Sequence, residues 1–177
     1  VFDPPGPNLR NEQFEAYKAN RDETPEDIKL SVPWIVKVLE GLNIPVLQAP
    51  GFEADDLLGC LAKRAEKEDF DVFMMTPDKD YAQLVTEKVR MYRPGRQGNP
   101  AQVWGPAEVC ERFGIEDPMQ VIDLLGLMGD SADNIPGVPG IGPKTAAKLL
   151  SKYGSMETLL DSTAELKGKQ KENLENF

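Results

Sequence analysis

The apolar run Phe70-Asp71-Val72-Phe73-Met74-Met75-Thr76 ends at Asp78-Lys79-Asp80, and it follows a stretch with helical apolar spacing. That stretch covers residues 53–68, with Ala54, Leu57, Leu58, Leu61 and Ala65 on one stripe. Val89-Arg90-Met91-Tyr92 reads as a further strand. Strands alternating with helices predict an α/β domain whose mainly parallel sheet is flanked by helices. Open sheets of this kind gather ligands beyond the carboxyl ends of their strands. Positions i and i+2 of an extended segment share a side, so Asp78 and Asp80 face one crevice. Val1-Phe2-Asp3 reads as the tail of a strand already under way, which adds Asp3 to that crevice. It also leads us to expect that the first strand of the fold is missing and the N-terminus truncated. The uncapped charged helix over 166–177 raises the same expectation at the C-terminus.

Other segments are less regular. Residues 10–21 are polar and thinly apolar and predict a loosely packed helix. Thr24-Pro25 predicts an N-cap followed by proline at the first helical position, leading into Ile28, Val32, Ile35, Val36, Val38, Leu39 and Leu42 at mostly helical spacing. Pro45–Gln48 predicts a short strand, and Arg93–Pro100 a turn or exposed loop. Short helices are expected near 105–113 and 118–128, and another from Lys144 to Tyr153. The chain divides on this reading at residue 115, with an α/β core over 1–115 and an all-helical region over 116–177.

The count that most narrows the chemistry is histidine, of which there is none. Without it the commonest general base, the usual zinc ligand and every Ser-His or Cys-His pair are gone. Hydrolysis would have to run on carboxylates, lysine and hard oxygen-loving cations, magnesium or manganese. Cys60 and Cys110 cannot build a disulfide framework; both read as buried thiols of a reducing cytoplasm. No apolar run is long enough to span a bilayer.

Acids cluster at four places: Asp3; Glu53, Asp55 and Asp56; Asp78 and Asp80; Asp130 and Asp133. Each group has a plainer reading. Acids in a first turn stabilise any helix, Asp130 and Asp133 could form a polar turn or cap, and Asp78-Lys79-Asp80 could be a solvated loop. Their common placement at element boundaries favours function. Eight carboxylates brought together repel strongly unless divalent ions hold them. The net charge of −10 counts against nucleic acid. Setting the eight clustered acids aside leaves 22 acids against 20 Lys plus Arg, a nearly neutral remainder.

Phe52-Glu53-Ala54-Asp55-Asp56, Thr76-Pro77-Asp78-Lys79-Asp80 and Gly129-Asp130-Ser131-Ala132-Asp133-Asn134-Ile135-Pro136-Gly137 occur in this order, running into Gly140-Ile141-Gly142-Pro143-Lys144-Thr145-Ala146. Together they resemble the 5′-nuclease domain of bacterial DNA polymerase I, within the flap endonuclease superfamily, over nearly the whole chain. The resemblance implies a PIN-like fold with a helix–three-turn–helix DNA-binding lobe. It implies structure-specific 5′-3′ exonuclease and flap endonuclease activity on nicked or 5′-flap DNA by a two-metal mechanism, for primer removal and repair. It also implies a polymerase domain in cis, no membrane and a bacterial cytoplasm.

Residue by residue, Asp3, Glu53, Asp55 and Asp56 would hold a first metal, and Asp78, Asp80, Asp130 and Asp133 a second metal region. Lys18 and Arg21 would contact the scissile phosphate, and Tyr17 could stack on a base; a solvated helix face is the plainer reading of the two cations. The family carries one more aspartate on a strand that this chain lacks, which puts the activity of the fragment in doubt. Gly137 to Thr145 nearly spells a nucleotide-binding loop, but Pro143 separates Gly142 from Lys144. Gly140, Gly142, Lys144, Thr145 and Lys148 instead read as a helix N-terminus that takes a backbone phosphate, against a plain Gly-Pro connector. By resemblance the 137–142 loop would also bind a monovalent cation. The competing readings are a stand-alone flap endonuclease, a catalytically impaired DNA-binding fragment and an aspartyl phosphatase; the last lacks a threonine after Asp80.

Overall fold

The computed structural model describes residues 1–95 and 98–177. Residues 96 and 97, inside the expected Arg93–Pro100 loop, lie outside the described residues. Two compact units emerge from the contacts: residues 1–60 with 132–134, and residues 61–131 with 135–177.

The first unit holds α1 (Leu9–Gln13), α2 (Glu26–Gly41) and the opening turns of α3 (Ala54–Lys67). The helix expected over 10–21 stops at Gln13 and gives way to turns. Too few apolar side chains lie there to reward a longer helix by burial. Pro25 itself occupies the N-cap of α2, with no side-chain cap bond, so the proline sits one position earlier than expected. Nor is Pro45–Gln48 a strand; bonds from Phe2 N to Leu47 O (3.1 Å) and from Gln48 Nε2 to Asp3 O (3.2 Å) tie that stretch to the N-terminal residues. Helix α2 buries none of its residues, and Trp34 is 69% exposed. Cys60, expected inside, is exposed, because only Ala62 of α3 is buried while Leu61 faces outward.

The second unit carries a three-stranded sheet in the order β1 (Val72–Met75), β2 (Val89–Arg93), β3 (Gln102–Trp104). Strands β1 and β2 are parallel, with Val72 opposite Val89. Strand β3 pairs antiparallel to β2, with Met91 opposite Trp104. The sheet is therefore mixed, not mainly parallel. The link from β2 to β3 is too short for the crossover that a parallel pair needs. Within β1 only Met74 is buried, while Phe73 and Met75 face outward, so β1 alternates instead of being sunk on both faces.

With the end of α3 and the 3₁₀ helix Lys79–Leu84, this unit also holds α4 (Pro106–Phe113), α5 (Gln120–Met128), α6 (Pro143–Tyr153), α7 (Met156–Asp161), a 3₁₀ turn (Thr163–Glu165) and α8 (Gly168–Glu175). Their ends follow local chemistry. Glu108 reaches back to Gly105 N (2.8 Å) at the start of α4, and Gly114 closes it in the left-handed region (φ 67°). Helix α5 packs on the 3₁₀ helix Lys79–Leu84, on α6 and on α7. Val89, Met91, Val109, Leu124, Leu127 and Leu150 form the centre of the core. Among the described residues no helix is long and apolar enough to cross a membrane.

Asp123 of α5 accepts a bond from Met156 N at the start of α7 (3.3 Å). Burial holds its carboxyl above the usual range; the Met156 bond opposes this, and Glu157 adds repulsion. A carboxyl whose folded pKa is raised binds its proton more tightly in the folded state. Its contribution is present at low pH and is lost as pH rises through the folded value. Asp123→Asn is therefore expected to exceed the parent in stability at pH 7 and to match it near about pH 3. Denaturant midpoints at the two pH values check this; equal midpoints at pH 7 contradict it.

Candidate active site

In the first unit the acids collect around the start of α3, where unpaired N–H groups favour negative charge. Asp3 Oδ1 accepts from Ala54 N (2.7 Å), and Asp56 Oδ2 accepts from Glu53 N (2.9 Å). Asp55 is exposed on the same turn. Arg10 grips Asp56 with two bonds (2.8 and 2.7 Å) and lies 3.5 Å from Glu53. That guanidinium holds the Asp56 carboxyl below the ordinary carboxylate range. Glu53 is buried and accepts from Lys18 Nζ (2.7 Å) and Asn8 Nδ2 (2.8 Å). Arg21 donates to Asp133 Oδ1 (2.6 Å) and to Ala132 O (3.2 Å). Lys18 adopts a positive φ of 55°, rare outside glycine, and its N–H donates to Asp133 O (2.9 Å).

Tyr17 does not stand out as a base-stacking platform. It is 6% exposed, with its hydroxyl 2.8 Å from Glu53 Oε2 and 3.0 Å from Asp133 Oδ2. Burial, then the Glu53 contact, push its phenol pKa up, so it is a neutral donor between two carboxylates. Sequence reasoning missed Arg10 and Asn8. Their only signal was a position in the same polar stretch as Lys18 and Arg21.

In the second unit, Asp78 caps the 3₁₀ helix by accepting from Asp80 N (3.1 Å), while Thr76 Oγ1 accepts from Asp78 N (3.1 Å). Lys79 forms an ion pair with Asp130 and stands 3.5 Å from Asp80 Oδ1. That Asp80 oxygen is buried and accepts no hydrogen bond among the described residues. Burial raises the Asp80 pKa; Lys79 opposes this, and Asp78 and Asp130 add repulsion.

The backbone of Asp130 pairs with Ile135 in both directions (2.9 and 2.8 Å). A close approach of Gly129 to Gly137 fixes that loop. A Cβ on Gly137 would lie 2.1 Å from Met128 C, and one on Gly129 would lie 2.3 Å from Gly137 N.

Among the described residues no three Cys, Asp or Glu side chains close into a ready-made metal-ligand group. Arg10, Lys18, Arg21 and Lys79 pair with Asp56, Glu53, Asp133 and Asp130 in turn, and the uncharged Tyr17 hydroxyl adds hydrogen bonds. Among the described residues only Asp80 has a buried side-chain oxygen that accepts no hydrogen bond, and such an oxygen is open to a divalent ion. The residues fit such an ion on that ground and on the all-oxygen character of the set.

The Gly140–Thr145 segment behaves as a helix start. Gly140 has a positive φ of 79°, Gly142 is the N-cap of α6, and Pro143 takes the first position. Gly142 O accepts from Thr145 N (3.0 Å) and Ala146 N (2.9 Å), and buried Val138 and Ile141 anchor the loop. Lys144 and Lys148 are exposed, and neither makes an ion pair among the described residues.

Family models match all but one residue of the chain in two pieces: a 5′-3′ exonuclease N-terminal resolvase-like domain over residues 1–114, and a 5′-3′ exonuclease C-terminal SAM fold over 116–177. The chain belongs to the 5′-3′ exonuclease family. Its relatives in that family include DNA polymerase I of Bacillus subtilis (strain 168), 42% identical over 178 residues. They also include a 5′-3′ exonuclease of Aquifex aeolicus (strain VF5), 40% identical over 160 residues. The matches cover 100% and 90% of this chain, but 20% and 54% of those proteins. The chain thus spans about a fifth of the first relative and about half of the second. Among solved structures it resembles the T5 D15 protein co-crystallised with metal ions (TM-score 0.79, 26% identity, 97% of this chain and 67% of that one). A T5 D15 flap endonuclease complex with DNA and metal ions matches at TM-score 0.76 and 26% identity, over 98% of this chain and 65% of that one.

Proposed function

We propose that this chain cuts DNA phosphodiesters as a structure-specific 5′-3′ exonuclease and flap endonuclease, within a DNA polymerase I that carries its polymerase in cis. The observation that carries this reading is the strand-end acid group, with a buried Asp80 oxygen that accepts no hydrogen bond among the described residues, beside Asp78 and Asp130. The family match and the T5 structures with DNA and metal support it.

Asp78, Asp80 and Asp130 would hold one divalent ion; Asp3, Glu53, Asp55, Asp56 and Asp133 would serve the remaining metal region. Magnesium or manganese bound there supplies an activated water and stabilises charge on the leaving oxygen. Lys18 and Arg21 now neutralise Glu53 and Asp133. In the reaction they would turn to the phosphate and stabilise its charge. The 137–148 element, a helix–three-turn–helix in a PIN-like context, would hold the duplex through backbone N–H groups and Lys144 and Lys148. A monovalent cation in the 137–142 loop would support it. The polymerase context implies primer removal and repair in a bacterial cytoplasm.

The test is cleavage of an end-labelled 5′-flap duplex in magnesium. We expect products bearing 5′-phosphates and no cutting in chelator. A chain that binds the flap but never cuts it, in magnesium or manganese, would replace this reading with that of an impaired DNA-binding fragment. The lack of a preformed three-acid group among the described residues is the observation that favours this second reading.

A further inference from the structure

Two arginines that the acid site does not use, Arg93 and Arg112, sit on one indole. The guanidinium carbon of Arg93 lies 4.2 Å from the Trp104 ring centre and that of Arg112 lies 4.9 Å from it. Together these distances cap the separation of the two cations at about 9 Å. Trp104 is buried at the end of β3, so the pair is anchored to the sheet. Neither arginine pairs with a carboxylate among the described residues; Arg93 Nη2 donates to Pro77 O (3.1 Å).

Both arginines, with Pro77 and Gln102, line a cleft of about 450 Å³ whose wall holds no Asp or Glu among the described residues. This is unusual in a chain with a net charge of −10. Two cations held close in a cleft repel each other. Stacking on the indole offsets part of that, and a shared anion would offset the rest. Guanidinium groups match phosphate oxygens in a planar, two-pronged geometry that lysine lacks. The cleft also has a defined place: Pro77, whose carbonyl Arg93 holds, is the residue directly before Asp78.

We propose that the Arg93–Arg112 cleft binds a backbone phosphate of the DNA strand, one that is held and not cut, next to the strand-end acids. This rests on the nuclease reading above and adds a positioning contact to it. Such a contact fixes the register of the strand without reading its sequence.

The test uses the full chain and a fluorescent 5′-flap duplex, with anisotropy in calcium across a salt series. Arg112→Ala is expected to bind about tenfold more weakly and to lose about one unit from the slope of log Kd against log salt. Arg112→Lys keeps the charge and should keep the slope. Lys171→Ala, a cation paired with Glu175 on α8, should match the parent. Thermal melts confirm that each variant is folded.

Parental affinity and slope in a folded Arg112→Ala would overturn the proposal. So would a cleft that takes only free anion: inorganic phosphate would then raise the melting temperature of the parent but not of Arg112→Ala, with equal DNA affinity in both. Flap cleavage by the parent in magnesium is scored separately. A parent that cuts while Arg112→Ala binds like it sinks only the cleft; a parent that neither binds nor cuts sinks the nuclease reading.

Discussion

Asp80→Asn should leave a folded chain that melts no lower than the parent but cuts a 5′ flap at least about a thousandfold more slowly, roughly 4 kcal/mol of barrier. The two effects share one origin. The Asp80 oxygen is buried, receives no hydrogen bond among the described residues and faces the repulsion of Asp78 and Asp130, which Lys79 only partly offsets. An ionised carboxylate there destabilises the fold, and neutralising it relieves that cost. The same substitution removes the charge that would bind the catalytic cation. Stability and activity move apart in this way at sites kept for function. The measurement pairs a thermal melt with single-turnover cleavage in magnesium. A variant that loses activity and several degrees of melting temperature together would mean that Asp80 is structural. One that keeps its activity would remove it from the metal site.

Gly137→Ala should be the most damaging change in the helical region, lowering the melting temperature by about 8 °C or more, from a loss of at least about 3 kcal/mol. A methyl group at this position would stand 2.1 Å from Met128 C and 2.3 Å from Met128 O, both main-chain atoms that no rotamer change can move aside. The backbone must part, and with it the paired Asp130 and Ile135. Gly142→Ala is the matched control. Its added methyl meets nothing within 4 Å and its φ of −100° suits any residue, so we expect less than about 1 kcal/mol there. Equal melting temperatures for the two variants would show that the loop adapts.

Much of the acid arrangement was legible because it depends on local rules. Asp78 and Asp80 follow an apolar strand, and Glu53 and Asp56 open a helix, so their placement at element ends needs no tertiary knowledge. What neutralises them was not legible. Arg10 reaches Asp56 across 46 positions, and Tyr17 comes within hydrogen-bond distance of Asp133 across 116. Pairings of that range leave no periodic trace. The base-stacking role of Tyr17 came from the family resemblance, whereas two carboxylates give its hydroxyl a reason to be buried. The sheet was misjudged for a different reason: strand patterning reports burial, not direction, and β3 is too short to show a period. In α2 the apolar spacing was read correctly as helix, but spacing cannot say whether anything lies against the face.

The two tryptophans of the chain divide between its two compact units. Trp34, on the bare face of α2, is 69% exposed, whereas Trp104 is 5% exposed under two guanidinium groups. Their fluorescence should therefore separate without any label, a red-shifted, acrylamide-quenchable emission from one and a blue-shifted, shielded emission from the other. Single Trp→Phe replacements would turn each unit into its own optical thermometer.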